Sequence, residues 1–246
     1  MLQTLEQGGA RLDKLKLRWY AEGYRGVHAK RKIRKNEEIL YVPRDLIITL
    51  EMAKAAPIGK KMVDAGLDLL SPKHCFLTTY VLQERRNLTS KWKFFLDILP
   101  KTMENFPIFF SESEEVHLEG SPFLEQVKDK RRDIEKDYET IAAVAPELRE
   151  WTVREFSEVR MMVSSRIFGM NIEGQKTDGF VPMADMLNHK RPRETSWTYT
   201  DEKAGFVIEA CQDIPRNNQV FDSYGKKCNS RFFLNYGFIV ENNDGN

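Results

Sequence analysis

The chain has 246 residues, of which 41% are hydrophobic and 30% are charged, and this balance predicts one large domain, or one domain with a sizeable insertion, beneath a well-solvated surface. The formal net charge is only +1, so the total charge does not indicate a nucleic-acid or membrane partner. No run of about 18 apolar residues occurs, so we expect no membrane span.

The first third of the sequence predicts β-strands. Short apolar stretches rich in valine, isoleucine and aromatic residues are broken by Gly23, Gly26, Asn36 and Pro43. The motif "EGYRG" within this region lacks the spacing of a nucleotide-binding loop and precedes no helical pattern. A kinase or a nicotinamide-dependent dehydrogenase is therefore not expected.

The middle third predicts helices. Ser71-Pro72 and Ser121-Pro122 are typical helix starts. Ser111 with Glu114, and Thr152 with Glu155, have the spacing of capping boxes. The charged run from Lys128 to Asp137 alternates in sign, which is typical of the exposed face of a helix with salt bridges. We therefore predict about 100 helical residues inserted between two β regions.

The last third returns to a β pattern. "AGFVIEACQDI" alternates Phe206, Ile208 and Ala210 as a strand does, and "GFVPMADMLNH" predicts an apolar strand that runs into a loop. "VFDSYG" and "FFLNYGFIV" bring Tyr224 and Tyr236 close in sequence, and both are expected on strands. Because strands and helices do not alternate regularly, the pattern excludes a doubly wound fold.

Cysteine usage indicates a reducing compartment. Cys75, Cys211 and Cys228 are far apart, odd in number and without zinc-site spacing. Cys75 falls on an apolar helix pattern, where a packed cysteine is expected. The N-terminus lacks the basic and apolar regions of a secretory signal. We therefore expect a cytoplasmic or nuclear protein.

The segment "MADMLNH" at 183–189 combines an acid, an amide and an imidazole after an apolar run. A metal site is not favoured, because the other histidines have no metal-ligand spacing and asparagine is a poor ligand for zinc or iron. A nucleophile is not supported either, since no GxSxG elbow is present. On its own the segment is typical of a polar turn at a strand end.

Several motifs in order resemble those of the SET-domain methyltransferases, in the branch of the Rubisco large-subunit methyltransferase. They are "EGYRGVHAKRKIRKNEEILYVP", "SKWKFFLDILP", "SSRIFGM", "VPMADMLNH" and "VFDSYGKKCNSRFFLNYGFI". The resemblance covers nearly the whole chain. It implies an α+β fold of short sheets with a C-terminal pseudoknot and a helical insertion lobe. It places the SET domain at 11–246 and the insertion at about 65–150, and it implies that the family's C-terminal substrate-binding lobe is absent or truncated.

The resemblance also implies a set of site residues and S-adenosylmethionine as the cofactor. Tyr224 and Tyr236 match the catalytic tyrosines, and no metal is implied. The residues that match cofactor-binding positions are Glu22, Tyr24, Ser165, Arg166, Asp185, Asn188, His189 and Tyr224. The residues assigned to the substrate are Tyr199, Asn171 and Tyr236.

The implied activity is methyl transfer to a lysine of a non-histone protein, because the zinc-binding cysteine cluster that follows some histone-methylating SET domains is missing. Methyl transfer needs a neutral nucleophile, alignment and exclusion of water. An apolar aromatic channel lowers the pKa of a lysine by desolvation, and tyrosine hydroxyls and backbone carbonyls can orient its lone pair. Two alternatives remain open. One is a histidine acceptor, for which Asn171 could bond an imidazole, and the other is a catalytically silent SET-like module that binds a protein.

Overall fold

The structure is a computed structural model that describes residues 1–21 and 23–246. Short strands and helices form two units. The first unit comprises Met1–Thr49 and Ile167–Gly225, and the second comprises Leu50–Arg166 and Lys226–Asn246. The predicted bounds of the helical insertion, about 65–150, stay a prediction.

Among its described residues the first unit contains one α-helix, α1 (Leu2–Gln7), and ten strands. The strands are β1 (Leu15–Ala21), β2 (Tyr24–Ala29), β3 (Glu38–Pro43), β4 (Ile48–Thr49), β5 (Phe168–Ile172), β6 (Gln175–Phe180), β7 (Asn188–His189), β8 (Thr195–Thr200), β9 (Gly205–Ala210) and β10 (Phe221–Asp222). They form four small sheets, in the orders β1-β2, β3-β9-β8, β4-β6-β5 and β10-β7. Only the last of these pairs parallel strands.

Strand β9 lies between β3 and β8, and its central position determines which of its side chains are buried. The strand itself was predicted correctly, but the predicted alternation was wrong, because Phe206, Val207 and Ile208 are all buried. Ile208 pairs with Leu40 on β3 and with Trp197 on β8. A central strand that is covered on both faces loses the alternation of a half-exposed one.

The second unit contains the helices α2 (Leu50–Ala55), α3 (Pro57–Asp64), α4 (Pro72–Arg86), α5 (Lys93–Leu96), α6 (Glu112–Glu115), α7 (Pro122–Val144), α8 (Val153–Arg166) and α9 (Asn229–Tyr236). The predicted starts of α4 and α7 are confirmed, and the Ser121 hydroxyl accepts the Phe123 N–H. Both capping boxes form. None of these described helices is long and apolar enough to cross a bilayer.

A buried polar cluster lies among α4, α7 and α8. Asp137 accepts hydrogen bonds from the Leu70 N–H at 2.8 Å and from the Cys75 Sγ at 3.2 Å. Arg160 on α8 is 1% exposed, and its guanidinium interacts with both Cys75 and Asp137. Burial raises the pKa of the Cys75 thiol to about 12, which fits the packed cysteine that was predicted. The predicted exposed face of 128–137 was wrong at Asp137, which is only 2% exposed.

Helix α9 corrects the predicted strand at the C-terminus. Phe232, Phe233 and Tyr236 recur at spacings of three and four, which is the period of a helix. Gly237 ends the helix in the left-handed conformation, with φ of 72°, and its N–H bonds to the Phe233 carbonyl. The dense apolar run obscured this period, and the glycine after it is a typical C-terminal cap.

Candidate active site

The parallel pair β7-β10 organises the first unit's candidate site. Asn188 pairs with Phe221 and His189 with Asp222, and the Lys190 N–H donates to the Asp222 carbonyl at 2.9 Å.

The segment around β10 also bonds to β2 on its other side. The Val220 N–H donates to the Val27 carbonyl at 2.7 Å, and the Ala29 N–H donates to the Asn218 carbonyl at 2.9 Å. The stretch 217–222 therefore runs between β2 and β7, and it joins two parts of the sequence that are far apart.

Asn188 links β7 to β2 through its side chain. Its Nδ2 donates to the Arg25 carbonyl at 3.0 Å, next to Tyr24. Among the described residues no donor bonds to its Oδ1. Because the amide nitrogen is used within the protein, the carbonyl oxygen is the atom that can accept a hydrogen bond from a ligand.

His189 is held by Tyr224. The Tyr224 main-chain N–H donates to Nδ1 of His189 at 3.0 Å, and the two rings lie 5.1 Å apart at an interplanar angle of 33°. An imidazole nitrogen that accepts a hydrogen bond carries no proton, so this contact favours the neutral ring with its proton on Nε2. The geometry gives His189 a positioning role in the loop.

Tyr224 contacts the same loop a second time. Its hydroxyl donates to the Leu187 carbonyl at 2.7 Å, and Leu187 is buried. Tyr224 thus holds the stretch 187–189 at both ends, by its main chain and by its hydroxyl. With its proton directed at Leu187, the hydroxyl oxygen offers only its lone pairs to another group.

The loop that precedes Asn188 is buried and carries a strained residue. Met183 has φ of 75° and is fully buried. A left-handed conformation costs a residue with a Cβ atom about 1–2 kcal/mol, and such residues concentrate at functional sites. The short 3-10 helix Ala184–Met186 follows and places Asp185 in the interior.

Asp222 is a site residue that the sequence analysis missed. Its side chain is buried, and no donor reaches its Oδ1 among the described residues. Burial raises its pKa, although contacts with Ser223 and Thr195 oppose the shift. The signal in the sequence was an acid two residues before Tyr224, within "VFDSYG".

The β1-β2 hairpin presents exposed aromatic rings. Tyr24, a predicted cofactor residue, is 58% exposed, and its ring centroid lies 4.9 Å from that of Tyr20. Trp19 is also exposed, and the Arg25 guanidinium lies 5.2 Å from its ring centroid. Glu22, the other predicted residue of this hairpin, lies outside the described residues.

Three of the predicted residues belong to the helical unit. Ser165 and Arg166 end α8, where the Ser165 hydroxyl donates to the Met162 carbonyl at 3.1 Å. Tyr236 is the last residue of α9, half-buried against Phe232 and Phe238, with ring centroids 5.9 and 6.1 Å away. Burial raises the pKa of the Tyr236 hydroxyl, so it stays protonated.

Asn171 and Tyr199 lie on strands of other sheets, β5 and β8. Asn171 is exposed on β5 and pairs with Lys176 on β6. Tyr199 is buried on β8 and pairs with Phe206. The end of β8 that contacts β10 is Thr195, whose hydroxyl donates to the Phe221 carbonyl. Tyr199 is four residues further along the strand, about 13 Å from Thr195 at the usual rise.

The chemistry of this site is that of binding and alignment. Among the described residues no group of three or more histidine, cysteine or acidic side chains is arranged to hold a metal ion. The groups that converge are an amide, a neutral imidazole, a tyrosine hydroxyl and a buried carboxyl. Such groups can hold and orient a polar ligand without forming a covalent bond to it.

Comparisons with known proteins agree with this architecture. The SET domain family model matches residues 24–225. The chain superimposes on the SET domain of LSMT, solved with lysine and AdoHcy, with a TM-score of 0.84, 24% identity, and coverage of 98% of this chain and 56% of that one. Rubisco LSMT bound to AdoMet gives a TM-score of 0.80 at 24% identity, with coverage of 98% of this chain and 56% of that chain.

Two kinds of curated methyltransferase are similar in sequence. The actin-histidine N-methyltransferase of Xenopus tropicalis is 26% identical over 99% of this chain and 43% of that protein. A ribosomal lysine N-methyltransferase of Schizosaccharomyces pombe is 25% identical over 87% of this chain and 40% of that protein. The chain thus spans about two fifths of the length of these relatives. Because the family model matches most of the sequence, and the solved SET domain shares the α+β fold of small sheets and helices, the chain belongs to the SET-domain family.

Proposed function

We propose that this chain is the catalytic part of a protein methyltransferase that uses S-adenosylmethionine and methylates a nitrogen of a protein side chain. The observation that carries the proposal is the double contact of Tyr224 with the Asn188-His189 loop. The SET-domain relatives, which include methyltransferases and structures solved with AdoMet and AdoHcy, support the same function.

The residues of the site fit this cofactor. Asn188 Oδ1 and the buried Asp222 Oδ1 both lack a donor among the described residues. A ligand with an aromatic amine and an ammonium group carries N–H donors that such oxygens accept. Tyr24 offers an exposed aromatic face to a flat ring or to a cation. When bound, S-adenosylmethionine supplies a methyl group on a positively charged sulfur.

The residues of the chain itself bind the cofactor. We assign Asn188, His189, Asp185 and Tyr24 to binding, and Glu22, Ser165 and Arg166 stay predicted members of the cofactor site.

The two catalytic tyrosines have different proposed tasks. The Tyr224 hydroxyl donates its proton to the Leu187 carbonyl in a hydrogen bond, so the lone pairs of its oxygen can orient an amine N–H or a polarised methyl group. Tyr236, beside Phe232 and Phe238, contributes to an aromatic environment that disfavours the charged form of an acceptor amine.

For the acceptor we propose a lysine of a non-histone protein, with histidine as the second candidate. The histidine candidate is favoured by relatives named as actin-histidine N-methyltransferases, and the lysine candidate by the ribosomal lysine enzyme. Asn171 on β5 and Tyr199 on β8 stay proposed substrate residues.

Methyl transfer to a protein extract tests the proposal and separates the acceptors. The chain is incubated with S-adenosylmethionine labelled in the methyl group, and the modified peptides are mapped by mass spectrometry. Label on lysine side chains supports lysine as the acceptor. Label on histidine alone contradicts the lysine proposal and supports histidine as the acceptor. A chain that binds the cofactor but labels no protein would be the silent SET-like module instead. Asn188→Ala should transfer less label, and its matched control is Asn218→Ala, because Asn218 is exposed and bonds through its main chain.

A further inference from the structure

Five exposed basic side chains follow β2 within six positions of the sequence. We call this set the basic surface, and its members are Lys30, Arg31, Lys32, Arg34 and Lys35. No aspartate or glutamate occurs between Gly23 and Asn36. The last four members line, with Asn36 and Glu37, a hollow of about 590 Å³ in the first unit. Because the chain has a net charge of only +1, this positive charge is a local feature.

Two members of the basic surface are paired within the chain, and three are not. Arg31 pairs with Asp13 at 3.1 Å, and Lys32 pairs with Asp213 at 2.9 Å. The members that form no ion pair with any described residue are Lys30, Arg34 and Lys35. An exposed cation without an acidic partner is a group that a carboxylate of another molecule can bind.

Hydrogen bonds hold the backbone of the basic surface in one shape. Ile33 and Ile214 exchange their N–H and carbonyl groups, each at 2.9 Å. The Lys35 N–H donates to Asp213 Oδ1 at 3.0 Å. A loop whose backbone is fixed before binding loses little conformational freedom when a partner docks, so more of the attraction between charges contributes to affinity.

The basic surface adjoins the stretch that leads to the candidate active site. Ala29 directly precedes Lys30, and its N–H donates to the Asn218 carbonyl at 2.9 Å. The stretch 217–222 then continues to Tyr224. A molecule bound to the basic surface is therefore held on the same unit as Tyr224.

We propose that the basic surface is a docking site for an acidic segment of the protein that the chain methylates. The inference rests on the proposed function, because that function supplies a protein partner. Carboxylates of aspartate and glutamate accept charge-assisted hydrogen bonds from lysine and arginine, and arginine can donate two at once. Complementary charge also speeds the encounter and disfavours partners of the wrong sign. The basic surface thus selects substrates by charge.

The chemistry of the hollow favours a polypeptide over a nucleic acid. Proteins that hold single-stranded nucleic acids combine cations with aromatic side chains on which the bases stack. Among the described residues that line the hollow, none is aromatic. Asp13, Glu37 and Asp213 also lie beside cations of this region and would repel a continuous phosphate backbone. A peptide can instead place neutral residues opposite these carboxylates.

Fluorescence anisotropy with a labelled peptide of glutamate–serine repeats tests the docking without cofactor. The wild-type chain should bind this peptide more tightly than a matched peptide of glutamine–serine repeats, and the binding should weaken as salt is added. The basic-surface variant replaces the three unpaired cations, by Lys30→Gln, Arg34→Gln and Lys35→Gln. It should bind the acidic peptide about tenfold more weakly, because three exposed charge contacts are lost together.

A control variant changes the net charge equally in the second unit. It carries three substitutions at exposed lysines that form no ion pair with any described residue, Lys60→Gln, Lys101→Gln and Lys136→Gln. Its affinity for the acidic peptide should equal that of the wild type. Equal weakening in both variants, or weakening in neither, would overturn the inference. A labelled oligouridine of the same charge that binds more tightly than the peptide, and only with the basic surface intact, would overturn it as well.

Methyl transfer tests whether the docked segment belongs to a substrate. With labelled S-adenosylmethionine and a protein extract, the acidic peptide should inhibit labelling by the wild type. The basic-surface variant should label less than the control variant at low extract concentration, and the difference should shrink at high concentration, because docking affects KM rather than kcat. Equal labelling by the two variants at every concentration would overturn the inference and leave the proposed function standing.

Calorimetry with S-adenosylmethionine separates this failure from that of the proposed function. Both variants should bind the cofactor as the wild type does, because none of their substitutions lies at the candidate active site. A folded wild-type chain that binds no S-adenosylmethionine would overturn the proposed function. The anisotropy measurement needs no cofactor, so it would still decide whether an acidic segment docks.

Discussion

Replacing Tyr224 with phenylalanine removes a single hydroxyl whose partner is well defined. That hydroxyl donates to the Leu187 carbonyl at 2.7 Å, while the Tyr224 N–H, which holds His189, is a main-chain group and is retained. The substitution therefore breaks one of the two contacts that hold the loop and adds no new atoms.

The structure sets the size of the effect. Leu187 is only 1% exposed, so water does not easily replace the lost donor. A buried acceptor without a partner costs about 1–3 kcal/mol. We expect Tyr224→Phe to lower the free energy of unfolding by about this amount, and to slow methyl transfer because the oxygen that orients the acceptor is gone.

The first unit offers a matched control for this loss. The Tyr41 hydroxyl donates to the Lys203 carbonyl at the same distance, 2.7 Å, but on an exposed surface. There water can take the place of the lost hydroxyl, so Tyr41→Phe should change stability by less than about 0.5 kcal/mol.

Urea titrations of the wild type and both variants, followed by circular dichroism, measure the two differences. The reasoning would be refuted if Tyr224→Phe were as stable as Tyr41→Phe. It would also be refuted if methyl transfer by Tyr224→Phe were unchanged.

Burial lowers the pKa of His74 to about 3 from its ordinary 6.5. Between these two pH values the unfolded chain binds a proton that the folded chain does not. The free energy of unfolding therefore falls as the pH falls through this range. His74→Gln should lessen that fall in urea titrations at neutral and acid pH, and an unaltered pH dependence would contradict the burial argument. The stability contribution of Asp222 depends on pH in the opposite direction. Its pKa is raised above 3.8, mainly by burial. Its stabilising contribution is therefore present below pH 3.8 and is lost as the pH rises through the pKa of the folded state. Asp222→Asn should therefore be more stable than the wild type at neutral pH and lose that advantage in acid; a variant that is less stable at neutral pH would argue against it. Cys228, whose pKa is lowered chiefly by its hydrogen bond with Ser230, should react with a thiol reagent well before Cys75, whose pKa burial raises to about 12. Peptide mapping after brief exposure measures this order, and early modification of Cys75 would show that the thiol is not buried.

Local signals in the sequence were enough to predict the starts of four of the nine described α-helices, which are α4, α6, α7 and α8. Ser121 and Thr152 act through neighbours two or three residues away, and their caps formed as predicted. The motif order also predicted the family, which the family model confirms. The failure at α9 was a misjudged period, because the run "RFFLNYGFI" is apolar enough to be compatible with either a strand or a helix.

Contacts between distant residues could not be predicted from local patterns. Asn188 bonds to Arg25 across 163 positions of sequence, and the two-residue strands β7 and β10 are too short to give a period. Asp137 was predicted to be exposed because its neighbours are charged, whereas its burial depends on Cys75 and Leu70, which belong to another part of the chain. The resemblance to the family implied the site residues. The structure adds which of their atoms already form hydrogen bonds within the protein.

The most direct test of the account is a calorimetric titration of the intact chain with S-adenosylmethionine. The account predicts saturable binding at one site, weakened by Asn188→Ala and unaffected by Asn218→Ala. Absence of heat and of saturation for the folded wild-type chain would contradict the proposed function, and equal affinities for the two variants would contradict the role of Asn188.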